Sequence, residues 1–129
     1  MEINNPQTVR EVTDAFERYE IALMENNVTV LDDSFWNNPR TIRYGGGENL
    51  YGYAEIQKFR AARNSGRMTR TMDRLVITTY GTDFATASLH HHPRNAPGKV
   101  GRQMQTWVRM PEGWRVVAAH VSTIDDPET

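Results

Sequence analysis

Cysteine is absent from this 129-residue chain, which excludes disulfides, thiolate nucleophiles, cysteine-ligated zinc and iron–sulfur clusters. Long apolar runs are absent as well. Mean hydropathy is -0.67, and no stretch nears the ~18–20 apolar residues of a membrane helix. Neither sign of charge dominates: 15 basic residues stand against 16 acidic ones, for a net charge of -1. That balance argues against nucleic acid as a partner. The opening MEINNPQTVREV has neither the basic nor the apolar region of a secretory signal. HExxH, GxSxG and a phosphate-binding GxxxxGK[ST] are also missing. The expectation is a cytoplasmic protein that works away from membranes.

What is present suffices for one folded unit, residues 1–129. Hydrophobic residues make up 38%, and a chain of this size buries roughly two-thirds of its unfolded surface without a metal or disulfide. Val9, Val12, Phe16, Tyr19 and Leu23 recur at steps of three and four residues. That spacing predicts an amphipathic helix over residues 6–26. Asn5-Pro6 suits its start and Asn26-Asn27 its end. A short helical piece is expected over Thr29 to Phe35, a short strand over Thr41 to Tyr44, and a third helix from Tyr53 to Asn64, closed by Ser65-Gly66.

From residue 70 the texture changes. Segments Arg70 to Tyr80, Thr82 to His92, Lys99 to Met110 and Gly113 to Ser122 are rich in β-branched and aromatic residues, with Gly and Pro turns between them. They read as long antiparallel strands joined by hairpins. The fold class is therefore α+β, with helices on one face of a curved sheet. Such a sheet makes a cone whose wide end can stay hollow.

Polar residues at core-facing positions are the candidates for chemistry. Tyr19 lies on the buried stripe of the first helix. Arg43 alternates with Ile42 and Tyr44, so it faces inward or outward with Thr41. Facing inward, its planar fork suits a carboxylate. His120 alternates with Val121 in a strand that is apolar on both faces, as a core residue or a pocket residue. Arg60, Arg63, Arg67, Arg70 and Arg74 form a basic stretch that reads as a rim. His90 and His92 share a face, but no third metal ligand is evident. Gly45-Gly46-Gly47 reads as a turn.

Several blocks resemble a known family: Phe35-Trp36, Arg43-Tyr44-Gly45, the run Glu48 to Gly52, the run Tyr80 to Ala87, and Gly101 to Arg109 continuing through Trp114 to Ser122. Together they are similar to the AtzH/HpxZ-like family of the SnoaL-like, NTF2-like superfamily. The resemblance implies an NTF2-like cone, a homodimer through the open sheet face, and no cofactor or metal. It implies an amidohydrolase that hydrolytically removes ammonia from 1,3-dicarboxyurea to give allophanate. Tyr19 and Arg43 match the positions expected to carry that chemistry. His120, Trp36, Arg70, Gln105 and Trp107 are expected to contact the small anionic carboxylated urea. Arg43 beside Tyr19 would favour a phenolate, since a nearby guanidinium stabilises the charged form. The alternatives are an HpxZ-type protein of oxalurate breakdown and a non-catalytic ligand-binding module of the same fold. The His run at 90–92 lies outside the family pattern.

Overall fold

The computed structural model describes residues 1–63 and 69–127. Helix α1 spans Pro6–Glu25. Asn5 caps it, its side-chain oxygen accepting from the Thr8 amide at 3.1 Å, and Pro6 takes the first turn, where a missing N–H costs nothing. Asn26 ends it with a left-handed φ of 53°. Of the predicted stripe, Val12, Phe16, Tyr19 and Leu23 are buried. Helix α2, Val28–Asp33, begins one residue earlier and ends two earlier than expected. Asn27 caps its start by accepting from the Val30 amide at 3.3 Å.

Strand β1 is Ile42–Tyr44 and β2 is Asn49–Tyr51, a hairpin partner absent from the sequence reading. Three residues are too few for an alternation to declare itself. Helix α3 covers Tyr53–Ala62. It starts at Gly52, whose φ of 92° disfavours a side chain. The expected closure at Asn64, Ser65 and Gly66 lies outside the described residues, as does Arg67. The long strands are β3 (Arg70–Tyr80), β4 (Phe84–Pro93), β5 (Lys99–Met110) and β6 (Gly113–Asp125).

All six strands join one sheet in the order β2-β1-β6-β5-β4-β3. Neighbours are antiparallel except β1 and β6, which run parallel. The sheet is curved and does not close, and the helices cover its inner face. The core between the layers holds Val12, Phe16, Leu31, Phe35, Ile56, Trp107 and Val116, each at most 2% exposed. No helix among the described residues is long and apolar enough to cross a membrane.

One irregularity decides which side chains face inward. On β6, Val116 pairs with Trp107 and Ala118 with Thr106, leaving Val117 unopposed. A bulge of this kind reverses the alternation beyond it. Trp114 and Val116 are buried before the bulge, and Ala119 is buried after it. His120 is thereby turned to the outer face. An unbroken period-2 alternation would place His120 on the face of Val116; the bulge corrects that.

Candidate functional site

Arg43 stands in a cross-strand row on the inner face. Its register partners are Leu50 on β2 and Ala119 on β6. Ala119 pairs onward with Gln105, and Gln105 with Ala87. Leu50, Ala119, Gln105 and Ala87 are all buried. Directly opposed residues share a face, so Arg43 points toward the helices, with its side chain only 13% exposed.

Tyr19 reaches the same layer from α1. Its ring meets Trp107 edge-on, with centroids 6.4 Å apart, and Phe35 at 6.1 Å. Geometries like these add about 0.5–1.5 kcal/mol per pair beyond burial, enough to hold the phenol in one orientation. Trp107 is in turn fixed by donating from Nε1 to the Gln105 side-chain oxygen at 3.0 Å.

Three guanidiniums converge nearby. Arg60 stacks 4.8 Å above Phe35 and pairs with Asp32 at 2.7 Å, tying α3 to α2. Arg43 and Arg63 both lie against the Phe59 ring, at 5.8 and 6.0 Å from its centroid. Arg43 pairs with Glu48 at 2.9 Å, and Glu48 also accepts from the Gly47 amide. Arg63 has no ion-pair partner among the described residues, and its Nε is buried without a hydrogen bond. Burial, followed by the charges of Arg43 and Arg60, lowers the Arg63 pKa from the ordinary arginine range, while Tyr19 and Glu48 act in the opposite direction. Tyr19, Arg43, Arg60, Arg63 and Glu48 therefore share one electrostatic neighbourhood. It holds three cations, counting Arg60, against the two carboxylates of Glu48 and Asp32.

Among the expected contacts, Gln105 and Trp107 face the inner layer. Arg70 does not offer a free charge. It donates to Glu20 at 2.7 Å and to Gln103 at 3.4 Å, and Gln103 donates to Glu20 at 3.1 Å. With its side chain 3% exposed, Arg70 belongs to a buried network in which only its Nε lacks a hydrogen bond. Removing one partner of such a pair costs about 3–5 kcal/mol, so Arg70 is tied to stability, correcting its expected role as a substrate clamp. Phe35, rather than Trp36, touches Tyr19. Trp36 is half-buried, and its amide donates to the Val116 carbonyl at 2.9 Å. His120 lies outside this layer altogether. It pairs in register with Met104 and packs edge-on against Tyr44 at 6.2 Å.

The His run splits across the sheet. His92 faces Asp73 on the outer side at 3.3 Å. His91 is turned inward and buried, with neither ring nitrogen hydrogen-bonded. Its ring lies where a side chain on Gly101 would have to go, since an added Cβ would come within 2.0 Å of it. No cluster of three His, Cys, Asp or Glu suited to a metal ion occurs among the described residues.

Sequence reasoning missed Arg63. It placed Arg63 within the third helix and in a basic rim. The available signal was its position four residues after Phe59 and three after Arg60, which puts all three on neighbouring faces of one helix end.

The chain matches the model of the AtzH-like family over residues 1–127. It is similar to a protein of unknown function from Pectobacterium atrosepticum SCRI1043, with 54% identity, 95% of each chain covered and a TM-score of 0.92. A cystatin-like fold protein from Burkholderia xenovorans LB400 is 44% identical, with 98% of this chain and 99% of that one covered and a TM-score of 0.93. An NTF2-like protein of unknown function from Pseudomonas putida KT2440 shares 16% identity over 96% of this chain and 92% of its own, with a TM-score of 0.78, and shows the fold. No curated protein matches the chain.

The buried His91 generates a pH prediction. Burial first, then the charge of Arg70 and of the flanking His92 and His90, holds its pKa down to about 4, against the usual 6.5. Above pH 6.5 it is neutral folded or unfolded and contributes no pH dependence. As pH falls from 6.5 toward 4, only the unfolded chain takes up the proton, so stability is lost, by up to about 3 kcal/mol in all. In urea melts, the stability of wild type minus that of His91→Leu should fall by up to about 1.4 kcal/mol per pH unit across this window. A difference that stays constant from pH 7 to pH 4 contradicts this account of His91.

Proposed function

We propose the following reading of the chain, which belongs to the AtzH-like family: it is a cytoplasmic, metal-independent amidohydrolase that cleaves a C–N bond in a small carboxylated urea such as 1,3-dicarboxyurea. The observation that carries this reading is the excess positive charge near Tyr19, with Arg43 and Arg63 both against the Phe59 ring and, among the described residues, only Glu48 to offset the pair. A half-buried cation without a counter-ion is costly, and an anionic substrate supplies the missing charge.

Atom balance corrects one part of the expectation. Both nitrogens of 1,3-dicarboxyurea are still present in allophanate, so this conversion releases bicarbonate, not ammonia. Arg43 holds the reacting carboxyl group in its planar fork and draws electron density from it. Water adds to that carbon. The C–N bond breaks with its electron pair going to nitrogen, the Tyr19 hydroxyl gives its proton to that nitrogen, and Tyr19 regains a proton from the added water. Allophanate and bicarbonate leave. Trp107 and Phe35 orient the phenol, and Gln105 steadies Trp107.

A homodimer through the outer sheet face belongs to the same reading. Val76, Met104 and Phe84 are each more than half exposed there, and Val76, Ser88, Met104, His120 and Tyr44 run side by side across four strand boundaries. Exposed apolar surface of this kind marks interaction sites. His120 is thus read as an interface residue.

Tyr19→Phe should fold normally and lose roughly 10²–10⁴-fold in kcat, followed as allophanate and bicarbonate formed from 1,3-dicarboxyurea, with oxalurate as the comparison substrate. Arg43→Lys keeps the charge but not the fork and should lose most of its turnover. Near-normal rates in either variant contradict the assigned role. Sedimentation should give twice the 14.8 kDa chain mass, and Met104→Glu should shift it to the monomer. A wild-type monomer rules out the dimer.

A further inference from the structure

Arg60 and Arg63 leave the same end of α3 and meet different fates. Arg60 is 4% exposed, stacked on Phe35 and neutralised by Asp32 at 2.7 Å. Its charge is matched by the protein, and its role is to lock α3 to α2. Arg43, at 5.8 Å from the Phe59 centroid, has Glu48 at 2.9 Å. Arg63 has the same ring to lie against, at 6.0 Å, yet no carboxylate among the described residues pairs with it, and its Nε is buried without an acceptor. A guanidinium carries five N–H donors and no acceptor. Leaving one desolvated without a partner is costly; Arg70 Nε is in the same position, but Arg70 has Glu20 to match its charge and Arg63 has no such carboxylate among the described residues.

We propose that Arg63 is the specificity residue of this site: it binds the second carboxylate of the substrate, so that the site selects dianions over monoanions. The inference rests on the small-anion reading above and goes beyond it by naming the charge and the order of binding. Phe59 is the common seat: both guanidiniums lie against its ring. A carboxylate arriving at Arg43 must displace Glu48. A carboxylate arriving at Arg63 displaces no ion-pair partner among the described residues. Arg63 is therefore the first docking point, for the carboxyl group that is retained, and engagement of Arg43 by the reacting group follows when Glu48 gives way. A monoanion can satisfy Arg63 or compete for Arg43, but not both.

The test uses malonate and acetate as probes, titrated into the full chain by calorimetry, beside the kinetics. Wild type should bind malonate at least about tenfold more tightly than acetate. Arg63→Gln should lose that preference and raise KM with a smaller effect on kcat, while Arg63→Lys should keep part of the preference. Thermal melting of each variant checks that it is folded; if Arg63→Gln unfolds, Arg63→Lys and Arg63→Met carry the comparison. An Arg63→Gln protein that still prefers malonate as wild type does overturns the assignment and leaves the anion-site reading standing. Equal binding of the two probes by wild type overturns it likewise. Wild type that binds neither probe overturns both.

Discussion

An imbalance of charge in a confined layer is the constraint on which this account depends. Helix α3 and strand β1 bring Arg43, Arg60 and Arg63 toward one region, and the protein supplies Glu48 and Asp32 as partners. Like charges that share a desolvated space raise each other's cost. The fold tolerates this because α3 is fastened elsewhere, through Arg60 and Asp32 and through the apolar seat of Ile56. The remaining charge is then free to serve recognition. Tyr19 is delivered to the same place by the apolar stripe of α1, where Trp107 and Phe35 fix its ring. Stability is thus carried by contacts at the periphery of the site, and the centre is left electrostatically unfinished.

The sheet divides the labour between its faces. Its inner face carries Arg43, Gln105 and Trp107, and its outer face carries Tyr44, His120 and Met104. The bulge at Val117 is what assigns His120 to the second group. A second buried network, Glu20 with Arg70 and Gln103, ties α1 to β3 and β5 through an ion pair and two side-chain contacts, although Arg70 Nε has no acceptor. It differs from the Arg63 region in one respect: its carboxylate and its guanidinium already satisfy each other. That difference separates a buried charge that holds the fold from one that awaits a ligand.

Much of the architecture was legible in the residues. The first helix declared both ends through Asn5-Pro6 and Asn26, because capping is local chemistry. The four long strands declared themselves through composition and turns. The β2 strand was not legible, since three residues leave no periodic trace, and neither was the parallel pairing of β1 with β6, which joins residues far apart in the chain. Among the site residues, alternation left Arg43 facing inward or outward, and its register with buried Leu50 and Ala119 decided for inward. His120 was misread because a bulge is set by pairing with the opposite strand. Arg70 was misread because its partner Glu20 lies on α1, fifty residues away. Arg63 was overlooked for the opposite reason: what distinguishes it is the lack of an ion-pair partner among the described residues, and an absence of that kind exists only in three dimensions.

The central claim is that carboxylates are received between Arg43 and Arg63 beside the Tyr19 hydroxyl, and a crystal structure of the protein grown with malonate tests it most directly. The account predicts one carboxylate on Arg63, the other on Arg43, and Glu48 swung away from the Arg43 guanidinium. Malonate bound elsewhere, with the Arg43–Glu48 pair intact and Arg63 untouched, would contradict it.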